Sequence, residues 1–328
     1  MTDWPNASRC HATNAPCMGR GRANWRRLFP LLLVCAGALP AQPDKPTISV
    51  DVNMVVLHAT VCNRRGGFIS GLQERDFRVF EDGAPEQIRF FGHEDVPVAV
   101  GLVVDNSASM RPKKQNVTAA ALAFIRASNP RDQMFVVNFN EHVRFGLPGS
   151  EPFSASPAEL QAALNREPAT GKTALYDAVL AGLEHLRQSS LEKKVLIVIS
   201  DGGDNASRYT LGRVLAAAAR SNAIIYTIGL FDENDADGNP GVLRKIARAS
   251  GGEAFLPADL KQVVPVCERI AQDIRHQYTI AYAPTDLKLD SSYHKVRVTA
   301  LGPHGSKLLV RVRQGYTATP AGVVETSR

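Results

Sequence analysis

The chain has 328 residues, 44% of them hydrophobic and 21% charged, with a formal net charge of +6 and a pI near 9.1. That length allows two domains of about 100 to 200 residues each, and the balance of apolar to charged residues excludes a disordered chain. The positive charge is no sign of nucleic-acid binding: residues 1–41 carry five arginines and one aspartate, and without them the formal charge falls from +6 to +2.

Within residues 1–41, Arg26 and Arg27 precede an apolar core of about a dozen residues, with small residues at a possible cleavage point toward Ala41. This is the layout of a secretory signal peptide, too short for a stable membrane span, so the mature chain is expected to be exported: periplasmic, at the cell surface or secreted. A start at Met18 gives the signal an ordinary basic region. Cys10, Cys17 and Cys35 leave with the leader. Cys62 and Cys267 remain, either as one disulfide or as two buried thiols.

Gln42 to Lys45 is a polar linker, and residues 46–95 read as a small antiparallel β-unit. From Thr47 to Cys62 apolar residues alternate, with a shift of phase between Met54 and Val55 that fits a bulge or bend. Asp76 to Phe91 reads as a hairpin around Asp82-Gly83, because Asp-Gly between alternating strands is a strong turn signal.

Residues 96–276 change character. Val98 to Val104 is a nearly unbroken Val-rich run, the pattern of a strand buried on both faces. Val117, Ala120, Ala121, Phe124 and Ile125 then recur at helical spacing, and strands follow over Asp132–Phe139 and Val143–Leu147. A helix begins after the Ser156-Pro157 cap, and another follows Thr173 with one apolar face through Leu175, Val179, Gly182, Leu183 and Leu186. Strands at Val195–Ile199, Ala223–Gly229 and Glu253–Leu256 alternate with helices at Leu211–Arg220, Val242–Ala249 and Leu260–Arg275. Such alternation predicts a doubly wound, mainly parallel α/β sheet.

Over residues 277–317 the period returns to two, in Tyr278–Tyr282, His294–Ala300 and Lys307–Arg313. Three strands alone are marginal, so this segment is expected to fold onto the first β-unit as one small sandwich, with the α/β domain inserted. Arg297, Arg311 and Arg313 alternate with valines and read as a solvated strand face. Residues 318–328 form a loose tail.

The chemistry concentrates where the central strand stops. Asp105-Asn106-Ser107-Ala108-Ser109 places a carboxylate and two hydroxyls at alternate positions, and the carboxyl end of a central strand is where open parallel sheets bind ligands. A set of oxygens suits a hard cation, Mg²⁺ or Mn²⁺. Two further strand-end or helix-start residues can complete such a site: Asp201, after Lys194–Ser200, and Thr173, in Thr170-Gly-Lys-Thr.

Asp105-x-Ser107-x-Ser109, Thr173 and Asp201, in that order, resemble the metal-ion-dependent adhesion site of the von Willebrand factor type A domain. The resemblance covers roughly residues 96–282 and implies a Rossmann-like fold and a non-enzymatic role. It also implies that Ser107, Ser109 and Thr173 meet the cation through hydroxyls while Asp105 and Asp201 act mainly through water. Little negative charge then touches the ion, which keeps a position open for an Asp or Glu carboxylate on a partner protein. Ala108 stands where the family commonly has glycine, and its methyl group could tighten the turn. Asp76-Phe77, Glu81-Asp82-Gly83, Gln277-Tyr278-Thr279 with Tyr282, and Arg313-Gln-Gly315-Tyr316 extend the likeness to a group of exported bacterial proteins best known from acidobacteria. Asp204-Asn205 reads as a turn at the rim, and Asp177 as a local cap or a local pair.

The contrasting readings are a metal-assisted or serine hydrolase and a scaffold subunit that does not need its metal site. Ala169 to Thr173 resembles the end of a phosphate loop but has Arg166 where glycine is required. Asp232 to Gly241 resembles a calcium loop but puts Arg244 where the bidentate glutamate belongs. The eight histidines form no H-E-x-x-H, there is no G-x-S-x-G, and no base stands near Ser107 in sequence.

Overall fold

The computed structural model describes residues 54–93, 95–231, 238–285 and 292–318. The expected signal peptide, the linker, the first half of the Thr47–Cys62 run, most of the acidic loop and the tail beyond Ala318 lie outside them. Four strands come first: β1 (Val55–Cys62), β2 (Phe77–Glu81), β3 (Ala84–Glu86) and β4 (Ile88–Gly92). The α/β body comprises β5 (Val98–Asp105), α1 (Lys114–Ala127), β6 (Gln133–Phe139), β7 (Val143–Phe145), α2 (Pro157–Leu164), α3 (Leu175–Leu186), β8 (Lys193–Ser200), α4 (Leu211–Arg220), β9 (Ala223–Gly229), α5 (Pro240–Ala249), β10 (Ala254–Phe255) and α6 (Val263–Arg275). Four strands close the chain: β11 (Tyr278–Tyr282), β12 (Tyr293–Ala300), β13 (Leu309–Arg311) and β14 (Gly315–Thr317).

In the α/β body the sheet order is β10-β9-β8-β5-β6-β7, parallel except for β7, which returns antiparallel beside β6. All eight residues of β5 are buried, which is why its sequence lacks alternation: helices cover both faces. Each Val or Leu removed from water in this way contributes about 1.5–3 kcal/mol. Gly101 is required at mid-strand by close packing. A Cβ there would lie 2.4 Å from Phe135 Cζ and 2.6 Å from Leu196 Cδ1. Gly101→Ala is therefore expected to cost about 1–3 kcal/mol, seen as a lower denaturant midpoint at unchanged slope; an unchanged midpoint would contradict the packing.

The remaining strands build two antiparallel four-stranded sheets, β13-β1-β11-β4 and β14-β12-β2-β3. Each sheet takes strands from both sides of the α/β body. Leu57, Ala59, Val61, Phe77, Val79, Tyr278, Ile280, Val296 and Val298 fill the space between them. Asp82 and Gly83, with φ of 48° and 93°, make the tight turn between β2 and β3, as Asp-Gly predicts. The expected hairpin ends there, however: after Pro85, which lacks an amide and sits in an edge strand, the chain crosses at Gln87 to pair β4 with β11.

Residues of the flanking motifs meet inside this sandwich. Buried Glu81 accepts from Tyr282 Oη at 2.5 Å and from Tyr316 Oη at 3.1 and 3.2 Å. His294 Nδ1 lies 2.9 Å from Asp82 Oδ2 and 3.2 Å from Glu81 Oε1.

The expectation of a solvated arginine face fails for two of its three members. Arg297 is exposed, its guanidinium 4.1 Å from the Phe80 ring centroid. Arg311 pairs instead with Glu253 and with buried Asp273. Arg313 Nη2 donates to Val56 O at 2.9 Å, and its Nη1 to Asn222 Oδ1 at 3.3 Å. This segment lies against the α/β body and not against water, so its charges face partners. Cys62 and Cys267 are free thiols, and burial pushes the Cys267 thiol up to about 12. Among the described residues no helix is long and apolar enough to cross a membrane.

Candidate metal centre

Strands β5 and β8 are adjacent and parallel, so both end at the same edge of the sheet. Their last residues, Asp105 and Ser200, are joined there: Ser200 Oγ donates to Asp105 Oδ2 at 2.6 Å. The chain turns at once, and Ser107 N donates to Asp105 Oδ1 at 2.8 Å. That bond folds Asp105-x-Ser107 back on itself and brings Ser107 Oγ within 3.1 Å of Ser109 Oγ. Ser109 Oγ donates to Asp201 Oδ2 at 2.5 Å, and Gly203 N donates to Asp201 Oδ1 at 3.0 Å. Four of the five residues singled out by sequence thus form one bonded chain.

Thr173 makes no hydrogen bond to these four; its backbone is tied to the loop after β8. Its amide donates to Asn205 Oδ1 at 2.9 Å, and its carbonyl accepts from Asn205 N and Ala206 N at 2.9 and 3.0 Å. On the other side Thr170 N donates to Asn106 O at 2.8 Å and Ala108 N to Gly171 O at 3.1 Å. The loop carrying Thr173 is therefore held between the loop after β5 and the loop after β8.

Reading by sequence missed this outer layer or underrated it. Asn205 is a tie to Thr173 and not a plain turn residue, and Asp204 Oδ2 accepts from Tyr176 N at 2.9 Å and Ser207 Oγ at 2.5 Å. Asp177 does not cap locally: it accepts from Arg208 N and Tyr209 N, about thirty residues on, at 3.0 Å each through Oδ1. Ala108 is exposed, so its methyl group projects away and does not tighten the turn. The one available signal was the density of Asp, Asn and Ser over residues 200–207, side chains that readily bond loop backbone.

The electrostatics are those of a place short of positive charge. Asp105 and Ser107 are each 1% exposed, as is Asp201. Burial, opposed by bonds from Ser200 and Ser107 and reinforced by the charge of Asp201, holds the Asp105 carboxyl up at about 6. Hydroxyls and backbone amides are what these two carboxylates accept from; among the described residues no ammonium or guanidinium pairs with either. Lys114, nearby in sequence, donates to Asn106 Oδ1 and Leu164 O instead. Ser109 is only partly buried and gives the cluster its opening to solvent. Oxygen donors alone, two buried carboxylates without a counter-charge and a solvent-facing hydroxyl fit a hard divalent cation.

These residues belong to an α/β domain with a mainly parallel sheet, whose central strands end in a cluster of oxygen-bearing side chains. The chain belongs to the von Willebrand factor type A domain family, which matches residues 100–268. Among solved structures it is similar to a von Willebrand factor type A protein from Catenulispora acidiphila, at 16% identity over 84% of this chain and 76% of that one, with a TM-score of 0.47. It is also similar to the PilB minor pilin from Streptococcus sanguinis (12% identity, 56% and 62% of the two chains, TM-score 0.44). A third is the vWF domain of the type V pili tip protein Mfa5 from Porphyromonas gingivalis (14%, 55% and 95%, TM-score 0.44). No curated protein matches the chain.

Proposed function

We propose that this chain is an exported protein-binding module that holds Mg²⁺ or Mn²⁺ with Asp105, Ser107, Ser109, Thr173 and Asp201 and uses it to capture an Asp or Glu carboxylate on a partner protein. The supporting observation is the pair of buried carboxylates, Asp105 and Asp201, gathered with two serine hydroxyls and given no cationic side chain among the described residues. The bound cation supplies an electrophilic position that a partner's carboxylate can occupy. The chain's own residues set the position: Ser200 and Ser107 N fix the Asp105 carboxylate, Gly203 N fixes that of Asp201, and Asn205 holds the Thr173 loop. Export follows from the leader over residues 1–41.

Hydrolysis is less well supported. Ser107 Oγ contacts Ser109 Oγ, whose proton goes to Asp201, and among the described residues no histidine bonds to either serine, so the serine–histidine pair of an activated hydroxyl is not formed.

Isothermal titration with Mg²⁺ on the wild type, Asp201→Ala and Thr173→Ala tests the reading. Thr173→Ala keeps the backbone bonds that place the loop, so a loss there reports the hydroxyl. We expect binding by the wild type and a loss of at least about tenfold in each variant; equal affinity in all three proteins rejects the site.

A further inference from the structure

Away from the metal centre, a cleft of about 500 Å³ opens between the C-terminal end of α5 and the sandwich. It lies at the amino ends of the parallel strands, and the oxygen cluster lies at their carboxyl ends, so the length of β5 separates the two, roughly 20 Å. Four guanidinium-bearing residues line the cleft, Arg244, Arg248, Arg297 and Arg311, against one carboxylate, Glu253. Glu253 is already taken by Arg311, which leaves three arginines in excess. Arg244 and Arg248 are exposed, and among the described residues neither side chain has an ion pair or hydrogen bond; Arg297 lies over the Phe80 ring.

The walls restrict the occupant's shape. Residues 252–254 lead into and begin β10, and residues 310–312 end β13 and continue from it. Both strands are terminal members of their sheets, and a terminal strand offers backbone groups to another extended chain. Arg244 and Arg248 stand one helical turn apart, about 6 Å along α5. Alternate side chains of an extended peptide stand about 6.6 Å apart on one face, so acidic residues at alternate positions match the two guanidinium groups.

We propose that this cleft binds an extended acidic peptide segment, with Asp or Glu at every second residue, independently of the metal site. Fluorescence anisotropy tests this, using the full chain in EDTA and a labelled peptide of alternating glutamate and threonine, with a peptide of alternating glutamine and threonine as control. The glutamate peptide is expected to bind, more weakly as salt is added, and the glutamine peptide is not. An Arg244→Ala/Arg248→Ala variant should bind roughly tenfold more weakly or worse, with an unchanged melting temperature because both side chains are exposed. Asp105→Ala should bind as the wild type does, which separates this proposal from the fate of the metal centre. Equal binding of the two peptides, or undiminished binding by the double variant, overturns it. So does a sulfated polysaccharide that binds more tightly than the peptide and loses affinity in the same variant, because the arginines would then be a general polyanion surface.

Discussion

Asp105→Asn is expected to make the metal-free protein more stable at pH 7 and to abolish its response to Mg²⁺. Asp105 is almost fully buried, and its carboxyl is held up at about 6, against about 3.9 in an unfolded chain. Between those values the folded state binds a proton that the unfolded state has released. The stability linked to that proton is fully present below about pH 4 and is lost as pH rises through about 6. The loss amounts to roughly 2–3 kcal/mol by neutral pH.

Asparagine carries no charge to desolvate. With Oδ1 toward Ser107 N and Nδ2 toward Ser200 Oγ, it keeps both contacts that Asp105 makes. Thermal melts in EDTA from pH 4 to pH 8 should show the wild type losing stability across the lower half of the range and the variant staying flatter, melting several degrees higher at pH 7. Adding Mg²⁺ should raise the wild-type midpoint by mass action, about 2.7 kcal/mol at a hundredfold excess over Kd, and leave the variant where it was. A variant that is less stable than the wild type in EDTA and still responds to Mg²⁺ would refute both the burial cost and the site.

Asp273→Ala should be the most damaging single change at the junction of the two bodies, costing about 3–5 kcal/mol. Asp273 is 1% exposed. Its Oδ1 accepts from Thr60 Oγ1 at 2.7 Å, and its Oδ2 from Tyr226 Oη at 2.9 Å and from Arg311. Gln277 Nε2 adds donors to the same Tyr226 and Thr60 oxygens at 3.1 and 3.4 Å. Removing the carboxylate takes the buried acceptor from the Thr60 and Tyr226 hydroxyls and leaves Arg311 with Glu253 alone. Replacing both charges, as in Asp273→Leu/Arg311→Met, should recover part of the loss, because no guanidinium then faces the vacated site, while Glu253, Thr60 and Tyr226 still each lose a partner. Urea denaturation reads both variants. A cost below about 1 kcal/mol for the single change would mean that water takes the carboxylate's place at Thr60 and Tyr226, both buried here.

How much of this was legible in the sequence follows from the range of each interaction. Val98–Asp105 announces itself because eight consecutive residues serve one purpose, burial on both faces, and the carboxylate and hydroxyls after it share one turn. Thr173 and Asp201 could be placed because each begins or ends an element that its own periodicity marks. Arg311 and Arg313 could not: alternation with valine is the same whether the second face meets water or another body, and only the packing of β13 against the α/β body decides. The handover of the chain at Gln87 from one sheet to the other was equally silent, since a strand pattern does not name its neighbour. Ser200, Asn205 and Asp177 act through bonds to residues far off in the chain, and no local pattern encodes those.

The way the two bodies are joined bears on how the molecule would carry a load. The α/β body leaves the sandwich after β4 and rejoins it at β11, and those two strands lie side by side, with Gly92 opposite Thr279. Its two attachment points are thus a strand spacing apart, about 5 Å. Tension applied between residues 54 and 318 runs through β1, β14 and their sheets and bypasses the α/β body, which hangs from the sandwich as a closed loop. The oxygen cluster at its far end would keep its shape while the sandwich bears the strain.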